Sequence, residues 1–142
     1  MEEQNLALRN LTYRRFVELG RAPAAAELGE ADRVRAGWRR LHDAHALVLD
    51  ADTGELLMAA PFSAVPTPFE VEADGRRWHA NCAWDAFGIC AALHADGTID
   101  TACPDCGDPI RVEVRDARPD DESLLFHCLV PAARWWADIV FT

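Results

Sequence analysis

Residues 61–68 read PFSAVPTP, with three prolines in eight positions. Each proline lacks a backbone N–H and pins its own φ, so the stretch can neither continue a helix nor enter a sheet interior. It reads as a linker. The chain of 142 residues is thereby divided into an N-terminal part, residues 1–63, and a C-terminal part, residues 64–142.

Before the break, Asn5 to Leu19 sets Leu8, Leu11, Phe16 and Leu19 near helical spacing, and Gly20 stops it. A short helical piece, Ala24 to Leu28, follows Pro23. A third helix, roughly Glu30 to His42, carries Val34, Trp38 and Leu41 as one apolar stripe. Ala46-Leu47-Val48-Leu49 and Leu56-Leu57-Met58-Ala59 then flank Asp52-Thr53-Gly54, a hairpin with suitable turn residues. Three helices and a hairpin in this order predict a winged-helix-like module. Its third helix bears Arg33, Arg35, Arg39 and Arg40. These suit either a DNA-reading helix or a solvated face opposite the stripe.

Charge bears on that choice. The net charge is −10, and every basic residue is arginine. Residues 1–63 hold 8 Arg against 10 acids, and residues 64–142 hold 6 Arg against 14. A surplus of negative charge disfavours a polyanion, so nucleic acid is not the expected partner.

Beyond the linker, Phe69-Glu70-Val71-Glu72 and Arg76-Arg77-Trp78-His79 flank Asp74-Gly75 as a second hairpin. Ala83 to Leu93 predicts a helix with Trp84, Phe87 and Ala91 inward. Ile110 to Val114 alternates as a half-buried strand, and Leu124 to Val130 and Trp135 to Phe141 supply further extended segments. The expected fold class is α+β: a winged-helix-like module of three helices plus a hairpin, then a small mixed sheet-and-helix core.

All five cysteines (Cys82, Cys90, Cys103, Cys106 and Cys128) lie in the back part. The N-terminus, MEEQNLALRN, is polar and acidic, and no apolar run approaches the ~20 residues that span a bilayer. A cytoplasmic, reducing location is expected, where clustered thiols bind metals or catalyse rather than pair as disulfides.

Two motifs carry chemistry. Cys82-Ala83-Trp84-Asp85 stands at a strand-to-helix junction, where unpaired N–H groups and the helix dipole would lower a thiol pKa. Asp85 lies one turn on, within reach to exchange a proton with that sulfur. The alternative is a small buried cysteine with a first-turn acid. Cys103-Pro104-Asp105-Cys106-Gly107 is a CPxCG knuckle, half of a ribbon-type zinc site, which Cys82, Cys90, Cys128 or His127 would have to complete. A metal-free turn with two thiols is the other reading. The aromatics Trp78, Trp84, Phe87, Trp135, Trp136 and Phe141 either build the core or also wall a dry pocket.

The run FEVEADGRRWHANCAWDAFGICAAL, the stretch IDTACPDCGDPIRVEV and the ending ARWWADIVFT together resemble the organomercurial (alkylmercury) lyase family. The resemblance covers nearly the whole chain and is most specific over Cys82 to Leu93. It implies protonolysis of carbon–mercury bonds, in which two cysteine thiolates take the mercury and an aspartate manages the proton. By position, Cys82 would be the mercury-binding thiol and proton source, Asp85 the general acid/base, and Cys103 a structural cysteine. The family's second catalytic cysteine aligns just beyond Thr142. Cys128 lies too early to match it, so folding would have to bring Cys128 or Cys106 to Cys82. The expected metal-binding set is Cys82, Cys103, Cys106 and Cys128, with mercury as substrate and product and a structural zinc at Cys103 and Cys106. The expected partner is a small organomercurial or soft metal ion, with no membrane. The competing reading is a non-catalytic, thiol-based metal-binding or metal-responsive winged-helix protein.

Overall fold

Asp74 and Gly75 both adopt left-handed backbone, with φ of 49° and 70°. Their tight turn joins strands β4 (Glu70–Ala73) and β5 (Arg76–Ala80), pairing Val71 with Trp78. Both of those side chains are buried. The sheet grows outward from this hairpin in the computed structural model, which describes residues 3–140. The other strands are β1 (Val48–Leu49), β2 (Leu56–Ala59), β3 (Phe62–Ser63), β6 (Gly97–Ala102), β7 (Pro109–Arg115) and β8 (Arg118–Pro119). Their spatial order is β1-β2-β3-β5-β4-β6-β7-β8, with every pair antiparallel. An α+β architecture is therefore present.

Helix α1 (Glu3–Leu19) and helix α2 (Ala31–Asp43) occur close to where the apolar spacing puts them. Glu30 starts α2 by accepting from the N–H groups of Asp32 and Arg33. Val34, Trp38 and Leu41 are buried, as the stripe requires. Trp38 Nε1 donates to Thr12 Oγ1 at 2.9 Å, and that hydroxyl donates to the Leu8 carbonyl at 2.9 Å. The buried polar atoms are thus satisfied in a chain. Arg35 on α2 is engaged by Glu55 at 2.8 Å, and Arg40 donates to Asn5 Oδ1 at 3.0 Å.

Several expectations are corrected. The helix expected over 24–28 is a single 3₁₀ turn, Ala25–Glu27. Glu27 there takes the Ala24 N–H at 2.8 Å and pairs with Arg21, which closes the turn on itself. The proline stretch is not wholly a linker, because Phe62–Ser63 forms a strand between β2 and β5. Phe62 is the reason. Its ring lies 5.1 Å from Phe16 and 5.9 Å from Trp78, so burying it outweighs the break in hydrogen bonding at Pro61. Strand β8 was not foreseen, since its turn uses Asp116 and Ala117 at φ of 49° and 60°, where alanine gives no turn signal.

Helix α3 (Ala83–Leu93) has the expected span but the opposite face inward. Ala86, Ile89 and Cys90 are buried, whereas Trp84 is 65% exposed and Phe87 39%. Small residues let the helix lie close on the sheet. A Cβ at Gly97 would sit 2.8 Å from Cys90 Sγ, so the glycine makes room for that thiol. Leu124 to Val130 takes no strand pairing, and the expected strand after Pro131 is a 3₁₀ helix, Ala132–Ala137. Arg134 N–H bonds the Pro131 carbonyl there, and Trp135 Nε1 bonds that of Val130, closing the chain on itself. Phe141 lies outside the described residues.

Two apolar clusters result. One gathers Ala25, Val34, Trp38, Leu41, Leu47, Leu49 and Leu56. The other joins Phe16, Ala59 and Phe62 to the residues of β4–β7 and α3. The sheet itself continues across residue 64.

Candidate active site

Chain leaving β5 passes Asn81 and turns into α3 at Cys82, whose extended backbone (φ −155°, ψ 180°) caps the helix. The Cys82 side chain closes no capping hydrogen bond. Even so, the N–H groups of Asp85 and Trp84 draw its pKa down. Burial works the other way and prevails. The half-buried thiol is pushed above its ordinary value, helped by the charges of Asp85 and Cys128. The helix-start position expected for Cys82 is correct, but the lowered pKa is not, because desolvation exceeds the pull of a helix end.

Asp85 shifts in the same direction. Burial raises its pKa, and a hydrogen bond from Asn81 Nδ2 at 2.8 Å opposes the rise. A thiol and a carboxyl group thus stand three residues apart at the start of one helix, the pairing that proton transfer requires.

The two face a cavity of about 410 Å³. Its floor is the start of α3, with Asn81, Cys82 and Asp85, and one wall comes from the first hairpin through His45, Leu47 and Met58. The opposite wall is the C-terminal segment, including Phe126, His127, Cys128, Trp135 and Trp136. This segment is held by rings. His45 stacks on Trp136 at 4.1 Å with 7° between planes, and Trp84 meets Phe126 at 6.5 Å. Cys128 donates from sulfur to the Val130 carbonyl at 2.9 Å, the same oxygen that Trp135 Nε1 reaches at 2.8 Å.

Folding thus brings Cys128 to the cavity with Cys82 and Asp85. It does not bring Cys103 or Cys106, which stand on the β6–β7 turn away from the cavity lining. Cys90 is buried against the sheet. Among the described residues, no three or more His, Cys, Asp or Glu side chains gather as a metal set. The four-cysteine set and the tetrahedral zinc at Cys103 and Cys106 are therefore not assembled, since the knuckle lacks further ligands. Of the aromatics, Trp78 is buried in the core, whereas Trp135 and Trp136 line the cavity.

The family model for MerB, alkylmercury lyase, matches residues 62–142. This chain belongs to the alkylmercury lyase family. No curated protein sequence matches it. Among solved structures, the mercury-bound form of MerB2 is similar in fold, with a TM-score of 0.63 at 24% identity. That likeness covers 85% of this chain and 60% of the MerB2 chain, so the protein spans about three fifths of that chain's length. No helix among the described residues is long and apolar enough to cross a membrane.

Sequence reasoning missed Asn81, His45 and Phe126. Asn81 had a signal, its i,i+4 spacing to Asp85. His45 and Phe126 had none, being joined to the site only through rings distant in sequence.

Proposed function

We propose that the protein cleaves carbon–mercury bonds by protonolysis, with Cys82 and Cys128 as mercury-binding thiols and Asp85 as the group that carries the proton. One observation carries the reading: Cys82, Asp85 and Cys128 share a single, largely apolar cavity. Family membership supports the choice of mercury, and so does sulfur chemistry, since a soft metal prefers thiolates to oxygen or nitrogen ligands.

The substrate is R–Hg–X, where X is a small thiolate. Cys82 sulfur bonds mercury as its proton passes to the Asp85 carboxylate, and X leaves. Cys128 adds as a second thiolate and releases its proton to solvent. Electron density pushed onto the mercury weakens the Hg–C bond, whose electron pair takes the proton held by Asp85. R–H leaves, and mercury stays as a bis-thiolate until small thiols remove it. Burial of Asp85 suits this order, because a carboxylate whose pKa is raised is a stronger base for the thiol proton. The cavity's ring-lined wall would hold the organic group and exclude water that could compete for the site. Residues 1–63 serve, on this reading, as a winged-helix-like packing module that contributes His45, Leu47 and Met58 to the wall, in a cytoplasmic enzyme.

The test is anaerobic incubation with phenylmercury or methylmercury and excess small thiol, with benzene or methane measured by gas chromatography. Hydrocarbon release by the native protein and its loss in Cys82→Ser are expected. Unchanged turnover in Cys82→Ser would remove the proposal, and mercury retention without hydrocarbon from the native protein would reduce it to metal capture.

A further inference from the structure

The turn between β6 and β7 holds two thiols that the cleavage scheme does not use. Cys103 N–H donates to the Asp108 carbonyl at 2.9 Å, and Gly107 N–H donates back to the Cys103 carbonyl at 2.9 Å. These bonds and the left-handed Gly107 (φ 77°) wrap the loop around the Cys103 sulfur. The N–H groups of Cys106 and Asp105 and the Cys106 thiol all hydrogen-bond that sulfur. Cys103 is half-exposed, Cys106 is exposed, and neither is disulfide-bonded.

We propose that Cys103 and Cys106 form a second, solvent-facing dithiol site that takes a soft cation in two-coordinate form, separate from the cavity. Two sulfurs on one short turn match the needs of an ion that is satisfied by two thiolates. A tetrahedral ion needs four ligands, and no third His, Cys, Asp or Glu gathers here among the described residues. Asp105 and Asp108 on the same turn favour a cation over an anion. Binding is an exchange: two S–Hg bonds form from Hg²⁺, and the protons remaining on the two thiols pass to solvent. The site does not depend on the carbon–mercury chemistry. It offers a place for mercury outside the cavity, open to attack by solvent thiols.

The experiment uses the full chain carrying Cys82→Ser and Cys128→Ser, reduced and anaerobic. Hg²⁺ is the probe, in the presence of a small monothiol competitor. Bound mercury is measured by elemental analysis after desalting, and the thiolate-to-mercury absorption band is followed in parallel. A single retained equivalent is expected, lost on adding either Cys103→Ser or Cys106→Ser while the circular dichroism spectrum stays unchanged. Retention of no mercury by the doubly substituted protein would overturn the proposal. So would retention that survives Cys103→Ser, or tight binding of Zn²⁺ at the same thiols, which would demand further ligands. Because the cavity thiols are already removed, failure here is distinct from failure of hydrocarbon release.

Discussion

Asn81 donates from Nδ2 to Asp85 Oδ2 at 2.8 Å, spanning the helix cap at Cys82. The same amide group reaches the Phe62 carbonyl at 3.4 Å, while its Oδ1 is buried with no hydrogen-bond partner among the described residues. Strand β3 is thereby tied to the proposed acid. A carboxyl held this way is positioned by the sheet as well as by its own helix.

Asn81→Ala should therefore move the acid limb of the cleavage profile to higher pH. The Asn81 bond lowers the Asp85 pKa against burial, so its removal lets that pKa rise further. The carboxylate that receives the thiol proton is then scarcer near neutrality. Cleavage should fall, by no more than the roughly 10²-fold that marks the lower end for a proton-transfer group. A pH series of kcat/KM checks this, and an unmoved limb would exclude Asp85 as the titrating group.

Asp85→Asn should abolish hydrocarbon release yet stabilise the fold near neutral pH. The folded pKa of Asp85 lies above the unfolded one, so its contribution is fully present below the unfolded pKa and lost as pH rises through the folded value. A neutral amide escapes that loss. Melting temperatures of native and variant protein should converge at acid pH and separate, variant higher, as pH increases. Separation in the opposite sense would contradict the burial assigned to this carboxyl.

Cys128→Ser should lose most cleavage, whereas Cys103→Ser should leave it intact. Cys128 lines the cavity and Cys103 does not. Single-turnover release of benzene from phenylmercury distinguishes the two. Equal losses in both variants would mean that the knuckle shares in the reaction.

His45→Ala removes the stack on Trp136, a ring pair worth about 0.5–1.5 kcal/mol beyond its buried area. The C-terminal wall should loosen while the central sheet stays as it is. Amide exchange is expected to quicken across residues 121–140 but not in β4–β7, and KM should rise more than kcat falls. Uniform exchange would show that the stack does not hold the wall.

Thr12→Val keeps volume but strands the buried Trp38 Nε1, at an expected cost of about 1–3 kcal/mol. Denaturant melts read that cost directly. A neutral effect would mean that the indole finds another acceptor.

Much of this was readable in residue order. Helical spacing located α2 and its Val34/Trp38/Leu41 stripe, Asp74-Gly75 located the central hairpin, and the motif from Cys82 to Asp85 pointed to the proposed chemistry. These are local signals, set by periods and turns within a few residues. Other features depend on what lies across the fold. The inward face of α3 was chosen by the small side chains that let it approach the sheet, rather than by its largest aromatics. Phe62 entered the sheet despite its proline neighbour because Phe16 and Trp78 waited there. The Cys82 pKa rises because desolvation, a property of the assembled cavity, exceeds the pull of the helix end. Cys128 lines that cavity on a segment whose Trp136 stacks on His45, and a ring contact across 91 positions leaves no mark in spacing.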